Sequence, residues 1–312
     1  MKVLILSDLE GVSGSGDYRL LIPAGPIYQQ ACQNLTEDIN AVVRGLRAAG
    51  AAEIDLVDSH STVWPTRTGP RNIVKDRIGP GIDRMMGGWD MLMLTRSQGD
   101  PLRSYDAQVI VGEHAMAGTP DGFASHTHSD NTALRINGQY IGEVAWHIWL
   151  LGYYGVPTIM VTGDAATIRE ARAFFPGIEG VAVKTATSRD HAECLPVSEA
   201  RRLIQEAAAR ALSDLHRFAP CVPPSPIELD VIFTAPESAR FSSTCPGPRR
   251  STTGRFPALR QTTWGLCGHT CHWSCLARCT CLDATLRNSG SCRLRRPGSS
   301  STVITNRGWT GG

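Results

Sequence analysis

The sequence predicts an α/β fold built on a largely parallel sheet. Two observations carry this. Short apolar runs of strand length alternate with stretches of helical period, and the apolar runs end in polar, chemically capable residues.

The first strand is "KVLILS", residues 2–7. Residues 27–49 follow as a helix, with Cys32, Leu35, Ile39, Val42 and Leu46 at helical spacing and Gly50 as the stop. "EIDLVDSHS" reads as a second strand and "AQVIVGEHA" as a third. "LRINGQYIG" is a hairpin turning at Asn137-Gly138. A helix over 142–154, the strand "PTIMVTGD", a helix over 165–175 and the strand "GVAVKTA" come next. A long amphipathic helix over 197–217 and the strand "IELDVIFTA" complete the regular pattern.

Ligands of open α/β sheets gather at the carboxyl ends of the strands. Asp8, Glu10, Asp58, His60, Glu113 and His114 all stand at such ends. Asp8 and Glu10, two residues apart, point two carboxylates at one spot and call for a positive partner. Asp8, Glu10, His60 and His114 form the candidate constellation, with His126, His128 and Glu143 nearby in sequence. Mixed carboxylates and imidazoles suit zinc or a similar divalent ion, whereas magnesium and calcium prefer oxygen alone. A lone strand-end aspartate is ordinarily a turn or helix cap, so only the set together points to a metal. Imidazoles ligate only when neutral, so metal binding should weaken in acid.

The segments "SDLEGVSG", "DSHS", "GEHAMAGTPDGFASHTHS", "IGEVAWHIWLLGYYGVP" and "VTGD", in that order, resemble the DppA-type D-aminopeptidases, a family of dinuclear zinc metallopeptidases. The resemblance spans about residues 1–235. It implies two zinc ions held by Asp8, Glu10, His60, His114 and Glu143, with Asp8 shared, and a catalytic histidine at His126. Asp121 is an extra residue in that loop and leaves His128 as the other choice. It further implies a Rossmann-like domain with a smaller α+β domain, action on short peptides with an N-terminal D-amino acid, and a ring-like homo-oligomer. The expected layout is a metal-binding domain over 1–165, a truncated smaller domain over 166–240, and a tail over 241–312.

Two other readings start from "DLEGV". A haloacid-dehalogenase-like, magnesium-dependent phosphatase would use it with "GDAAT" at 163–167, but it would leave the histidines idle. A non-catalytic receiver-like domain would need a phosphoacceptor after the third strand and a lysine after the fifth, and neither is present.

Charge divides the chain. Residues 1–240 hold 21 Lys+Arg against 28 Asp+Glu, net −7, while 241–312 hold ten Arg and only Asp283, net +9. Seven of the ten cysteines lie between Cys245 and Cys292, without the paired spacing of a zinc ribbon. That composition matches GC-rich coding sequence read in a shifted frame, and no compact domain is expected there. The chain runs from Met1-Lys2 directly into a strand, and no stretch reaches the roughly 20 apolar residues of a membrane span. A cytoplasmic protein without nucleic-acid or membrane partners is expected.

Overall fold

The apolar run read as the first strand lies inside a seven-stranded sheet, next to its central strand. In this computed structural model the described residues are 1–23, 25, 27–60, 70–95, 97, 99–130, 132–233, 283–286, 292–295 and 301–308. They fall into two units. The first takes its residues from within Met1–Thr62, Arg67–Ser125 and Glu143–Val222, the second from within His126–Gly142 and Pro223–Gly312.

In chain order the strands are β1 (Lys2–Ser7), β2 (Glu53–Asp58), β3 (Arg84–Gly87), β4 (Ala107–Glu113), β5 (Thr132–Ile136), β6 (Gln139–Ile141) and β7 (Thr158–Asp164). They continue as β8 (Glu179–Ala186), β9 (Ala192–Cys194), β10 (Glu228–Phe233), β11 (Asp283–Leu286), β12 (Cys292–Arg295) and β13 (Ser301–Gly308). The helices are α1 (Tyr28–Ala48), α2 (Gly88–Leu94), α3 (Glu143–Tyr153), α4 (Ala165–Phe174) and α5 (Val197–Ser213).

The first unit holds the sheet β3-β2-β1-β4-β7-β8-β9, parallel throughout except for the edge pair β8–β9. One face is covered by α1 and α5. Leu35, Ile39, Val42 and Leu46 of α1 and Ile204, Ala207 and Ala208 of α5 join Val3, Ile5, Ile54 and Leu56 of the strands in one core. Leu4, Leu6 and Ile110 alternate to the other face and are also buried. A sheet covered on both faces has no need of polar alternation, which is why its strands read as unbroken apolar runs.

The chain leaves β1 for β2 on one side and returns to β4 on the other. The carboxyl ends of β1 and β4 are therefore the topological switch point, where such sheets open a crevice.

The second unit carries the sheet β11-β12-β13-β10-β5-β6. Its β5–β6 hairpin turns at Asn137 (φ 51°) and Gly138 (φ 83°), the positive pair that a tight hairpin turn requires. Arg135 of β5 stands opposite Asp230 of β10 and bonds it at 2.7 Å, a cross-strand ion pair.

The expected layout needs correcting. β8, β9 and α5 belong to the first sheet and its cover, so no boundary falls at residue 165. The smaller unit instead starts at His126–Gly142 and resumes at Pro223. Within the expected tail the described residues form three strands. β13 pairs in parallel with β10, and β12 and β11 extend the sheet antiparallel. Strand β10 thus pairs along both of its edges, with β5 on one and β13 on the other. The cysteine-rich run 245–281 lies outside the described residues. Among the described residues, no helix is long and apolar enough to cross a membrane.

Candidate metal centre

Beyond β1 the chain turns along the end of β4. Asp8 N donates to Val111 O at 2.8 Å and Gly11 N to Gly112 O at 2.7 Å. Nothing larger than glycine fits at position 11, where a Cβ would lie 2.0 Å from the Glu113 carbonyl oxygen. Asp8 and Glu10 then meet at one imidazole: His60 Nδ1 is 2.9 Å from Asp8 Oδ1 and 3.0 Å from Glu10 Oε2.

His60 follows β2 and is placed by its neighbours. Asn72 Nδ2 donates to the His60 carbonyl at 3.0 Å, and the Arg71 and Asn72 amides donate to Asp58 at 2.6 and 2.7 Å. Asp58, also at a strand end, therefore holds the loop and stands outside the cluster. Lys184 of β8 supports the segment after β1, which bears Glu10. Its buried ammonium donates to the carbonyls of Glu10 and, at 2.6 Å, Ser15, and lies 4.3 Å from the centre of the Phe123 ring. Burial pushes its pKa down to about 8.

On the other side, Glu113 ends β4 and His114 follows it. Consecutive strand residues face opposite ways, so only one of them should reach the site. Gly112 changes that. Its φ is +75°, and the ladder to β7 shifts register between Ile110 and Glu113, so the strand end is irregular as in a bulge. His114 Nε2 is consequently 3.5 Å from Asp8 Oδ2, 3.6 Å from Glu113 Oε1 and 3.3 Å from Glu143 Oε1. His114 Nδ1–H donates to the Ala115 carbonyl at 3.0 Å, which leaves Nε2 as the basic nitrogen. Glu143 heads α3, where the helix dipole favours a carboxylate. One turn on, His147 shares that helix face, and its Nδ1 is 3.4 Å from Glu113 Oε2.

Four carboxylates and two histidines are thus buried together, each no more than 7 % exposed. Burial, and next the Glu10 charge, pushes the Asp8 carboxyl up to about 7. Burial also holds Glu113 well above the carboxylate range, with Asp8 adding to it. Burial opposes charge on the histidines, yet Glu10 and Asp8 raise His60, and Glu143 and Glu113 raise His114. Such a crowd binds cations, as protons or as metal ions.

The donor set fits metal. Asp8, Glu10 and His60 form one group, and Asp8, Glu113, His114 and Glu143 a second, with the ligand atoms of each group within 4.8 Å of one another. Asp8 belongs to both. All five expected ligands are brought together, and Glu113 is an addition. His126 and His128 both belong to the second unit and are half-buried. Asp121 is exposed and bonds Arg169 at 2.6 Å. Asp164, the acid a phosphatase reading would use, caps α4: it accepts from the Thr167 amide and from Phe123 N, both at 2.7 Å.

Reading the sequence missed His147 and Lys184, and it placed Glu113 at a strand end without joining it to the constellation. His147 lies four residues after Glu143, and Lys184 interrupts an apolar strand. Those signals were present. Glu113 had only a misleading one, because alternation places it away from His114.

Comparison with known proteins places this geometry. The family described as D-aminopeptidase matches residues 1–263, running past the residue 235 at which the resemblance was expected to end. A D-aminopeptidase of Bacillus subtilis (strain 168) is 29% identical over 262 residues, covering 83% of this chain and 92% of that protein. A solved structure, the Zn-dependent D-aminopeptidase DppA from Bacillus subtilis, a self-compartmentalizing protease, superposes with a TM-score of 0.71. It is 28% identical and covers 81% of this chain and 89% of its own.

Proposed function

This chain belongs to the D-aminopeptidase family, and from that premise we propose that it is a zinc-dependent aminopeptidase acting on short peptides with an N-terminal D-amino acid. One observation carries the proposal: two groups of buried donors share Asp8 at the switch point of the sheet. Asp8, Glu10, His60, His114 and Glu143 would hold two zinc ions, with Asp8 between them. Zinc bound there supplies Lewis-acid chemistry, polarising a peptide carbonyl and making a water acidic enough to lose its proton near neutrality.

The chain's own residues do the rest. His114 Nδ1–H on the Ala115 carbonyl fixes the ring and its tautomer. Asn72 fixes His60 through its backbone, and Lys184 fixes the loop that bears Glu10. His126 is proposed as the catalytic histidine, exchanging a proton with the reacting peptide or attacking it. Self-association into a homo-oligomer also belongs to the proposal and is supported by the self-compartmentalizing relative. A cytoplasmic location belongs to the same proposal.

Hydrolysis of D-Ala-D-Ala and of L-Ala-L-Ala, with zinc and after chelation, tests the reading. Turnover of the D-peptide that chelation abolishes and zinc restores is expected. Equal turnover of both peptides, or indifference to chelation, overturns it. His126→Ala should abolish turnover with about two zinc ions retained; loss of zinc would make His126 a ligand instead.

A further inference from the structure

The two donor groups differ in a way that assigns a role to Glu113. Around His60 Nδ1 the carboxylate oxygens stand at 2.9 and 3.0 Å, ordinary hydrogen-bond distances. Around His114 Nε2 three oxygens from three different carboxylates stand at 3.3, 3.5 and 3.6 Å. Those separations are too long for good hydrogen bonds. They match the edges of a tetrahedron whose corners lie ~2.0–2.2 Å from a zinc ion, since such edges measure ~3.3–3.6 Å.

Glu113 supplies one of the three oxygens, on the same footing as Asp8 and Glu143. Its side chain is 0% exposed, and no lysine or arginine is paired with it among the described ion pairs. The remaining oxygen, Oε2, lies 3.4 Å from His147 Nδ1, so the whole carboxylate is enclosed by the buried cluster. A buried carboxylate aimed at a set of metal donors is strongly destabilising unless a cation meets it.

We propose that Glu113 is a fourth protein ligand, which closes the Asp8–His114–Glu143 group into a tetrahedral site, whereas the Asp8–Glu10–His60 group keeps three protein donors and an open position. This rests on the dinuclear zinc reading above. Closed four-ligand sites hold their ion as structure, and three-ligand sites leave room for water or substrate. The two ions are therefore unequal. The ion beside β4 is the tighter and fixes Asp8, and the ion beside β2 exchanges and meets the substrate.

Zinc titration of metal-stripped protein against a chromophoric chelator, with metal content by mass spectrometry, tests this. The unmodified chain should bind two ions in two affinity classes. Glu113→Gln, which keeps shape and removes charge, should weaken the tighter class by about tenfold or more and leave the weaker class within about twofold. If the unmodified chain binds two ions and Glu113→Gln changes neither class, the role of Glu113 is overturned while the dinuclear reading stands. If the unmodified chain binds no zinc, both fall. Should the variant misfold, the zinc-loaded unmodified chain decides by anomalous diffraction. A Glu113 oxygen at about 2.0–2.2 Å from the ion is expected, and one beyond about 3 Å overturns the proposal.

Discussion

The two sides of the switch point reach the same cluster by different means. On the β1–β2 side the donors sit on loops: Asp8 and Glu10 follow β1, His60 follows β2, and amides, Asn72 and Lys184 hold them. On the β4–α3 side the donors belong to regular elements or adjoin them: Glu113 ends β4, His114 follows it, and Glu143 opens α3. The loop side depends on many supporting bonds. The element side depends on one irregular backbone position, Gly112. Loss of support should therefore be graded on the first side and abrupt on the second.

Asp8 is common to both sides, and its removal should have the largest effect. Asp8→Ala is expected to release both ions and abolish D-peptide turnover, a greater loss than the ~10–100-fold of an outer partner. Metal content is the check. Retention of one tightly held ion would break the comparison, because the sides would then be independent.

Gly112→Ala comes next. A Cβ there would lie 2.4 Å from the Asp8 carbonyl oxygen, and the φ of +75° is strained for any L side chain. A destabilisation on the order of 1–3 kcal/mol is expected, measured by urea unfolding of the metal-free protein. Zinc affinity should drop on the β4 side. A variant that unfolds like the parent and binds zinc normally would show that the irregular strand end does not matter.

The smallest effect belongs to Lys184→Met, which removes one loop support. Zinc affinity should fall by about tenfold in the weaker class alone. The unmodified chain also carries a pH signature. Burial lowers Lys184 from 10.5 to about 8 in the folded state, so between those values the unfolded chain binds the proton and the folded chain does not. Stability then rises with pH across that window by up to roughly 3 kcal/mol. Lys184→Met should lose this rise, read as the gap between the two unfolding curves at pH 8 and pH 10.5. An unchanged gap would remove Lys184 from the argument.

The same contrast explains how much of the site was legible. The loop side is contiguous in sequence: "SDLEG" and "DSH" place carboxylates and an imidazole at strand ends, and Asp8 and Glu10 do share one imidazole, as their spacing requires. His114 is legible from its strand end, and Glu143 as a nearby carboxylate that the family's motifs single out. Glu113 stands at the same strand end but outside the constellation, because strand alternation is a sound rule that Gly112 suspends at this one position. Lys184 stands more than 170 residues from Glu10 and meets it only because β8 lies in the same sheet as β1.

By itself the sequence determined the principal strands and helices up to residue 233, the parallel sheet and the donor chemistry. Hydrophobic period, turn residues and ligand types are local properties that a short window of chain contains. Only the tertiary structure decided where the units divide, that strands from residue 283 onward extend the second sheet, and which donors stand around which imidazole. Strand order, a register shift and the distance between side chains set far apart in sequence depend on how strands pair. Pairing is a long-range choice that no local window encodes.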